Sequence, residues 1–261
     1  MTDPNRPPRI DWRSRVRPTA IHLGASFVVG LGVAAAVFAL WFPGPYRIMS
    51  GGTELFLLVV GVDLTLGPLL TLVIFDRRKP AKELKRDVAI VVALQVAALA
   101  YGLHTVSISR PVVLALEVDR FRVVAASGVY LKELPTAPAD LRRLSLTGPR
   151  LVRSVLPTDP DKKFESVGLG LSGFDIGTRP SLWTPWDAAA RAEALAHARP
   201  LGDLARRYPD RQRELGAAAA ATERPLPALV YIPMATFRGD WVALLDAKSA
   251  DVLGFAPFDG F

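Results

Sequence analysis

Cysteine is absent from this 261-residue sequence, and histidine is scarce, with three residues. Without cysteine the chain can form no disulfide, no thiolate metal site and no lipid-modified cysteine. His22, His104 and His197 fall in segments that the sequence pattern places apart. The motifs HExxH, GxSxG, GxGxxG and the P-loop are also missing. We therefore expect a protein that is not an enzyme, with no catalytic residues, no metal site and no cofactor.

Excess positive charge is confined to two short segments. The formal net charge is +7, yet residues 106–261 hold 20 basic and 18 acidic side chains. Residues 1–18 carry five basic side chains against two acidic ones, and residues 76–87 carry six against three. Both segments flank long apolar runs, where basic residues orient a membrane protein. This distribution argues against a nucleic-acid partner, because no basic surface remains to contact phosphates.

Three apolar runs predict transmembrane helices over residues 20–42, 54–75 and 88–105. The first has no charged residue and as a helix would extend about 34 Å, enough to cross the lipid bilayer. The fold class predicted is therefore an integral membrane protein. A three-helix transmembrane bundle over residues 20–105 is followed by a small α+β periplasmic domain with an antiparallel sheet over residues 106–261.

The basic segments also predict the topology, because lysine and arginine in short loops mark the cytoplasmic side. The 43–53 loop contains only Arg47, whereas the arm 1–19 and the 76–87 loop are basic. We expect a multi-pass protein of the bacterial inner membrane, with a cytoplasmic N-terminal arm and the C-terminal domain in the periplasm. The first span is predicted as a retained anchor, with a cleaved signal peptide as the alternative.

Small residues follow one face of the first span. Ser26, Gly30 and Ala34 are spaced by four residues, which places them on the same side of a helix. Small residues let transmembrane helices approach closely. Two interpretations stay open at this point: packing among the three helices of this chain, or a groove that binds a transmembrane helix of another protein.

Asp63 is the most informative residue of the second span, because a carboxylate in a membrane is costly and faces a partner, water or a functional site. Gln95 lies at a similar depth in the third span, which suggests an intramembrane Asp63–Gln95 pair. Four residues after Asp63, Gly67 and Pro68 weaken the helix. A weakened helix beside a polar residue is typical of a recognition site, so Asp63, Gly67 and Pro68 are candidate partner-binding residues. An ion path is a further alternative.

The domain at 106–261 has β-rich and helical segments in the order β, α, β, which favours an α+β fold. Alternating or β-branched runs predict the strands, and a helical period predicts the helices. The predicted strands cover Val112–Val118, Phe121–Ala125, Leu151–Leu156, Leu229–Met234, Asp240–Asp246 and Val252–Phe258, and the predicted helices cover Trp186–Ala198 and Leu201–Ala221, with a break near Pro209.

The order of these segments resembles the type IV pilin accessory proteins of the TfpX/TfpZ kind. The likeness extends over nearly the whole chain and depends on the order of several short stretches rather than on one motif. These stretches are Trp41-Phe-Pro-Gly-Pro-Tyr46, Gly61-Val-Asp-Leu-Thr-Leu-Gly-Pro-Leu-Leu-Thr71, Leu99-Ala-Tyr-Gly102, Arg110-Pro-Val, Val118-Asp-Arg-Phe121, Leu146-Thr-Gly-Pro-Arg150 and Asp240-Trp-Val-Ala-Leu-Leu-Asp-Ala-Lys248.

This resemblance implies an accessory, chaperone-like role in type IV pilus biogenesis. The implied partner is a type IV pilin, contacted at its transmembrane helix and its periplasmic head before assembly, and a contact with the pilus assembly machinery is also implied. The family has no assigned catalytic residues. Two other functions stay open: a membrane-anchored periplasmic sensor or ligand-binding protein, and a pilin-modifying transferase.

Overall fold

A computed structural model describes residues 12–261 and divides the chain into two compact units. The helical unit contains the described residues up to Ala36 together with Glu54–Val106. The sheet unit contains Val37–Thr53 and Ser107–Phe261. The first eleven residues of the predicted arm 1–19 lie outside the described residues. The 43–53 segment, expected to be a simple connection between two spans, belongs to the sheet unit.

Three long helices carry the apolar runs, and each is long and apolar enough to cross a membrane. Large apolar side chains on them are exposed, for example Val28, Leu58 and Val96 at 68%, 65% and 62%. Outward apolar side chains on every helix are typical of surfaces that contact lipid. The N-terminal helices are α1 (Trp12–Ala36), which continues as a π-helix (Val37–Trp41), the short α2 (Tyr46–Met49), α3 (Gly52–Ile74) and α4 (Ala81–Ile108).

Helix α1 is present from Trp12, eight residues before the predicted start of the first span. Arg15 explains the extension. Its guanidinium donates to the carbonyl oxygens of Leu72 at 3.1 Å and Val73 at 2.8 Å, and it pairs with Asp76 at 3.5 Å. The last carbonyls of α3 have no partner within their own helix. Arg15 therefore caps α3, and this contact orders the charged beginning of α1.

Helix α4 also begins earlier than predicted, at Ala81 instead of residue 88. Lys79 donates to the carbonyl of Ile74 at 3.2 Å and pairs with Asp87 at 2.6 Å. The charged residues of the 76–87 loop therefore form the first turns of a helix rather than an extended connection. The number and order of the three apolar helices agree with the sequence prediction.

The sheet unit is built on one eight-stranded sheet. The strands are β1 (Pro111–Glu117), β2 (Arg120–Ala125), β3 (Arg150–Ser154), β4 (Trp183–Pro185), β5 (Arg199–Pro200), β6 (Leu229–Ala235), β7 (Trp241–Asp246) and β8 (Val252–Ala256). Their order in the sheet is β4-β3-β1-β2-β6-β7-β8, with β5 paired to β6. Every residue of β1 is buried. Strands β1 and β2 form a hairpin, and so do β7 and β8.

The prediction of an antiparallel sheet is wrong, because the sheet is mixed. Strand β1 pairs with β3 in parallel, and β2 pairs with β6 in parallel through Phe121–Met234 and Arg122–Ala235. A parallel pair needs a connection of a dozen or more residues. Residues 118–149, which include β2, separate β1 from β3, and residues 126–228 separate β2 from β6, so both connections are long enough.

Four helices complete the sheet unit. They are α5 (Pro160–Leu171), α6 (Ala188–His197), α7 (Leu201–Arg207) and α8 (Gln212–Ala220). The predicted break near Pro209 is confirmed as a 3-10 turn over Pro209–Arg211. Helix α5 was not predicted, although Asp159 caps it by accepting from the Lys162 N–H at 3.0 Å.

Candidate functional site

The small-residue face of α1 is turned into the helical unit. Ser26 and Gly30 are buried, and Ala34 is half-buried. A Cβ atom at Gly30 would lie 3.3 Å from Cγ1 of Val60, so the glycine allows α1 to approach α3. Of the two interpretations of this face, the structure realises the packing among the chain's own helices. The binding of a second protein's helix at Ser26, Gly30 and Ala34 stays a hypothesis.

Gln95 of α4 is the centre of a polar cluster that joins all three helices. Its amide nitrogen donates to Oγ of Ser26 at 2.7 Å and to the main-chain carbonyl of Asp63 at 3.5 Å. Its amide oxygen contacts Nε2 of His22. The other ring nitrogen of His22, Nδ1, lies 2.5 Å from Oγ1 of Thr71. We call these five residues the Gln95 cluster.

The contacts of the Gln95 cluster define where its hydrogens lie. A main-chain carbonyl only accepts, which places the amide nitrogen of Gln95 towards Asp63 and its oxygen towards His22. Because that oxygen also only accepts, Nε2 of His22 carries a hydrogen. In the neutral ring Nδ1 then accepts from the hydroxyl of Thr71. The cluster is thus a chain of satisfied hydrogen bonds between the helices.

Gly67 provides the space that Gln95 needs. A Cβ atom at residue 67 would lie 2.6 Å from the amide oxygen of Gln95 and 2.7 Å from its nitrogen. Only glycine leaves room for the amide at this distance. Gly67 and Pro68 are both buried, and α3 continues through the proline. These two candidate partner-binding residues therefore lie in the interior of the helical unit.

The expected Asp63–Gln95 side-chain pair is not formed. Gln95 reaches the main-chain carbonyl of Asp63 instead, because its amide nitrogen, the group that could donate to the carboxylate, donates to that carbonyl and to Ser26. The Asp63 residue is half-buried, and its carboxylate Oδ1 is buried without a hydrogen-bond partner among residues 12–261. An unsatisfied buried carboxylate oxygen is costly. Asp63 is therefore the one candidate site residue that this structure leaves with an open bonding requirement.

Sequence reasoning missed His22 and Thr71. His22 precedes Ser26 by four residues, so both occupy one helical face. Thr71 follows Gly67 by four residues on α3, which gives the same relationship on the facing helix. Because each pair repeats at the helical spacing, a search for polar residues aligned with the small-residue face would have found both.

The 43–53 segment is part of the core of the sheet unit. Phe42 and Met49 are fully buried, and Tyr46 packs edge-on to Phe255 with ring centroids 5.3 Å apart. Burial raises the pKa of the Tyr46 hydroxyl well above its ordinary value. Tyr46, and Phe42 just before this segment, are therefore part of the buried interior of the sheet unit.

Ion pairs at the centre of the sheet unit have structural roles. Glu117, with 7% side-chain exposure, pairs with Arg122 at 2.7 Å and accepts the N–H of Gly177 at 2.8 Å. Arg179, with 5% side-chain exposure, pairs with Glu133 at 2.7 Å. Each of these charges has its partner within the domain. Within residues 12–261, no group of three or more His, Cys, Asp or Glu residues could hold a metal ion.

Comparison with known proteins points to one group. The family model described as fimbrial assembly protein FimB matches residues 10–51, which include all of α1 and the 43–53 segment up to Gly51. No solved structure matches this chain.

Relatives from Dichelobacter nodosus extend the likeness over the chain. The fimbrial assembly protein of serogroup E1 is 29% identical over 245 residues, covering 93% of this chain and 95% of the relative. That of serogroup I is 28% identical over the same shares of both proteins. The fimbrial assembly protein of serogroups C1 and C2 is 34% identical over 119 residues, which cover 46% of this chain and 91% of the relative. In agreement with the likeness to pilin accessory proteins seen in its sequence, the chain belongs to the family of fimbrial assembly proteins.

Proposed function

We propose that the chain is a chaperone-like accessory protein of the bacterial inner membrane that binds a type IV pilin before the pilin is assembled. Membership of the fimbrial assembly family supports a role in pilus biogenesis. Three helices long and apolar enough to cross a membrane support a site of action within the bilayer. A pilin waiting for assembly would be held at its transmembrane helix by the helical unit and at its head by the sheet unit.

The proposed topology has the N-terminus in the cytoplasm and the sheet unit in the periplasm. The single basic residue of the 43–53 segment, against six in residues 76–87, supports this orientation. Because the chain has no cysteine, a single introduced cysteine reports its own side of the membrane. A cysteine at Ser172 should react with an impermeant thiol reagent added to the periplasm, and a cysteine at Lys82 should not. The reverse pattern would contradict the topology.

One observation carries the proposed pilin contact: the buried Oδ1 of Asp63 has no hydrogen-bond partner among the described residues. A second helix that brought a donor to this oxygen would remove its energetic cost. Because Oδ1 is buried within the chain, the Asp63 side chain would turn outward to meet that donor. The residue is half-buried, and the helix surface beside it is open to such a partner. Val62 and Leu66 are exposed at 44% and 54%, which gives apolar contact area around the carboxylate.

The proposed contact with the pilin head lies on α5. Phe164, Val167 and Leu171 are exposed at 82%, 61% and 87%, and their spacing places them on one helical face. Apolar side chains grouped on one face of a domain helix mark interaction surfaces. The opposite face of α5 holds Ser166, which accepts a hydrogen bond from Arg179 at 2.6 Å and fixes the helix to the domain.

Binding of this kind would act by mass action. A protein that binds folded pilin and not its unfolded chain stabilises the pilin by an amount that grows with the logarithm of its free concentration relative to Kd. No covalent chemistry is needed for this effect, and we propose none. The proposed partners are the pilin, the lipid bilayer and, at the moment of transfer, the pilus assembly machinery.

The direct test is site-specific photocrosslinking in native membranes. A benzophenone amino acid at Leu66 should crosslink to pilin, and Asp63→Asn should weaken the association. Asparagine keeps the shape of aspartate but loses one acceptor oxygen and the capacity to carry charge, a change of about 1 kcal/mol or about fivefold in affinity. Thr65→Val is the matched control, because the Thr65 hydroxyl donates to the Gly61 carbonyl of its own helix. Unchanged crosslinking in Asp63→Asn would rule out this contact.

A further inference from the structure

The tip of the β6–β7 hairpin lies against the segment that leads into α3. The N–H of Arg238 donates to the carbonyl of Met49 at 2.9 Å. The ring of Phe237 lies over Gly51, where a Cβ atom would be 3.2 Å from its Cδ1. Gly51 has a φ of +68°, a backbone conformation that favours glycine. This conformation changes the direction of the chain just before α3, which starts at the next residue.

This contact places the hairpin tip beside the entry of the chain into a membrane. Helix α3 begins at Gly52 and has 23 residues. A helix of that length just crosses the hydrocarbon of a bilayer, so its first turn lies at the membrane boundary. Phe237 contacts Gly51, and Gly51 is bonded directly to the first residue of that turn. The Phe237 ring therefore lies within a few ångströms of the boundary.

The side chains at this place are those that proteins use at a membrane surface. Phe237 is 76% exposed and Ile48 is 47% exposed. The Arg238 guanidinium lies 5.3 Å from the Phe237 ring centroid, and Ile48 and Arg238 line one surface cavity of about 420 Å³. Arg47 is exposed, and neither arginine forms an ion pair with any residue from 12 to 261. The hairpin tip also contains one acidic residue, Asp240.

We propose that Arg47, Ile48, Phe237 and Arg238 form an interfacial anchor, which inserts Phe237 and Ile48 into the outer edge of the bilayer and places both arginines among anionic lipid headgroups. This inference rests on the proposed membrane location of the chain. Phenylalanine and aliphatic side chains of interfacial segments insert at the boundary between the headgroups and the acyl chains. Arginine extends its charged end to the phosphates while its stem stays in the apolar region, and each basic residue gains from an anionic surface.

The anchor would hold the hairpin and the start of α3 at one depth. The Arg238–Met49 hydrogen bond joins the two segments, so a shift of one displaces the other. The anchor therefore restrains the sheet unit at one further point, in addition to its chain connections to the helices.

The test uses the full chain in vesicles of phosphatidylcholine and phosphatidylglycerol. Single cysteines replace Phe237, Leu58 or Phe164 and are labelled with the fluorophore NBD, which reacts nowhere else in a chain without cysteine. Leu58 lies on α3 and is 65% exposed, so its label reports insertion of that helix. Phe164 is 82% exposed on the sheet unit and is the matched control for an outward phenylalanine.

With lipids that carry a nitroxide at headgroup depth, the label at residue 237 should lose most of its fluorescence and shift its emission to the blue. The label at residue 164 should keep its fluorescence. Quenching at residue 58 without quenching at residue 237 would overturn the anchor and leave membrane insertion intact. No quenching at residue 58 would instead contradict the membrane location itself, and equal quenching at residues 164 and 237 would also overturn the anchor.

A charge reversal gives a second measurement. In the Phe237→Cys protein, Arg238→Glu should reduce the quenching at residue 237 in vesicles that contain phosphatidylglycerol, because a carboxylate is repelled by anionic headgroups. Arg213→Glu changes the net charge equally at another exposed position of the sheet unit and should leave the quenching unchanged. Equal effects of the two reversals would overturn the proposed role of Arg238.

Discussion

At the scale of single residues, the helical unit depends on a small number of polar side chains in an apolar environment. Gln95 contacts residues from both other long helices, and each of its amide atoms has a partner. Such hydrogen bonds hold transmembrane helices together where apolar contacts alone give little preference. Asp63 differs, because one of its oxygens lacks a partner among the described residues.

The first prediction concerns the space at Gly67. Gly67→Ala puts a methyl group 2.6 Å from the amide oxygen of Gln95, so the Gln95 cluster must shift. We expect a loss of about 2 kcal/mol in the stability of the helical unit, typical of overpacking. Unfolding of the purified protein in mixed micelles, followed by circular dichroism as the SDS fraction rises, measures it. Gly61→Ala is the control on the same helix, since a Cβ atom there meets nothing within 4 Å; equal midpoints for both variants would contradict the packing described.

A second residue-scale prediction concerns acid and the buried pair of the sheet unit. Burial raises the pKa of the Glu133 carboxyl, but hydrogen bonds from Arg179 and Ser181 lower it more, and the net pKa lies below its ordinary value. A lowered folded-state pKa stabilises the protein at pH values above the unfolded pKa of about 4.3. This stabilisation is lost as the pH falls through the folded-state pKa.

Glu133→Gln should therefore cost about 3 kcal/mol at pH 7, because Arg179 would stay buried without its partner. The difference from the parent protein should shrink as the pH falls below about 4. Urea unfolding in detergent, followed by tryptophan fluorescence at pH 7 and pH 3, measures both values. Glu165→Gln, at an exposed position of α5, should change neither value. A Glu133→Gln deficit as large at pH 3 as at pH 7 would disprove the linkage.

At the scale of elements, the sequence predicts the type and the order of the helices and strands better than it predicts how the strands pair. Apolar runs identify the three long helices, and alternating or β-branched runs identify β1, β2, β3, β6, β7 and β8 near their observed bounds. The parallel pairing of β1 with β3 was missed, because β3 joins the sheet on the side of β1 opposite to β2, and the strand residues themselves do not indicate that placement. Helix α5 was missed for a local reason. Gly168 and Gly170 lower its helix propensity, and its apolar face points outward.

The third prediction belongs to α5. The double variant Phe164→Ser with Leu171→Ser removes two exposed apolar side chains from the proposed pilin-head surface. Copurification of pilin from detergent extracts should fall several-fold, while the circular dichroism spectrum stays unchanged, because substitutions of exposed side chains alter stability by about 0.5 kcal/mol or less. Asp161→Ser on the same helix is the control. Undiminished copurification in the double variant would exclude α5 as the contact surface.

At the scale of the whole molecule, the division into units does not follow the order of the sequence. Val37–Thr53 lies between two apolar helices in the chain, yet it belongs to the sheet unit. Tyr46 and Met49 pack in the same core as residues of β6 and β7. A prediction from local pattern treats this segment as a turn, because its partners are far away in sequence. Both ends of this segment connect to the helices, so the sheet unit is joined to them at more than one point.

The central claim is that this protein binds and stabilises a pilin in the membrane before assembly. Its most direct test is the amount of pilin in the membrane fraction, with surface pili counted in parallel, in a strain from which the gene has been deleted. We predict that membrane pilin falls in the deletion strain, that the parent protein restores it, and that Asp63→Asn restores it only in part although the variant is inserted normally. Unchanged membrane pilin and normal pili in the deletion strain would contradict the account.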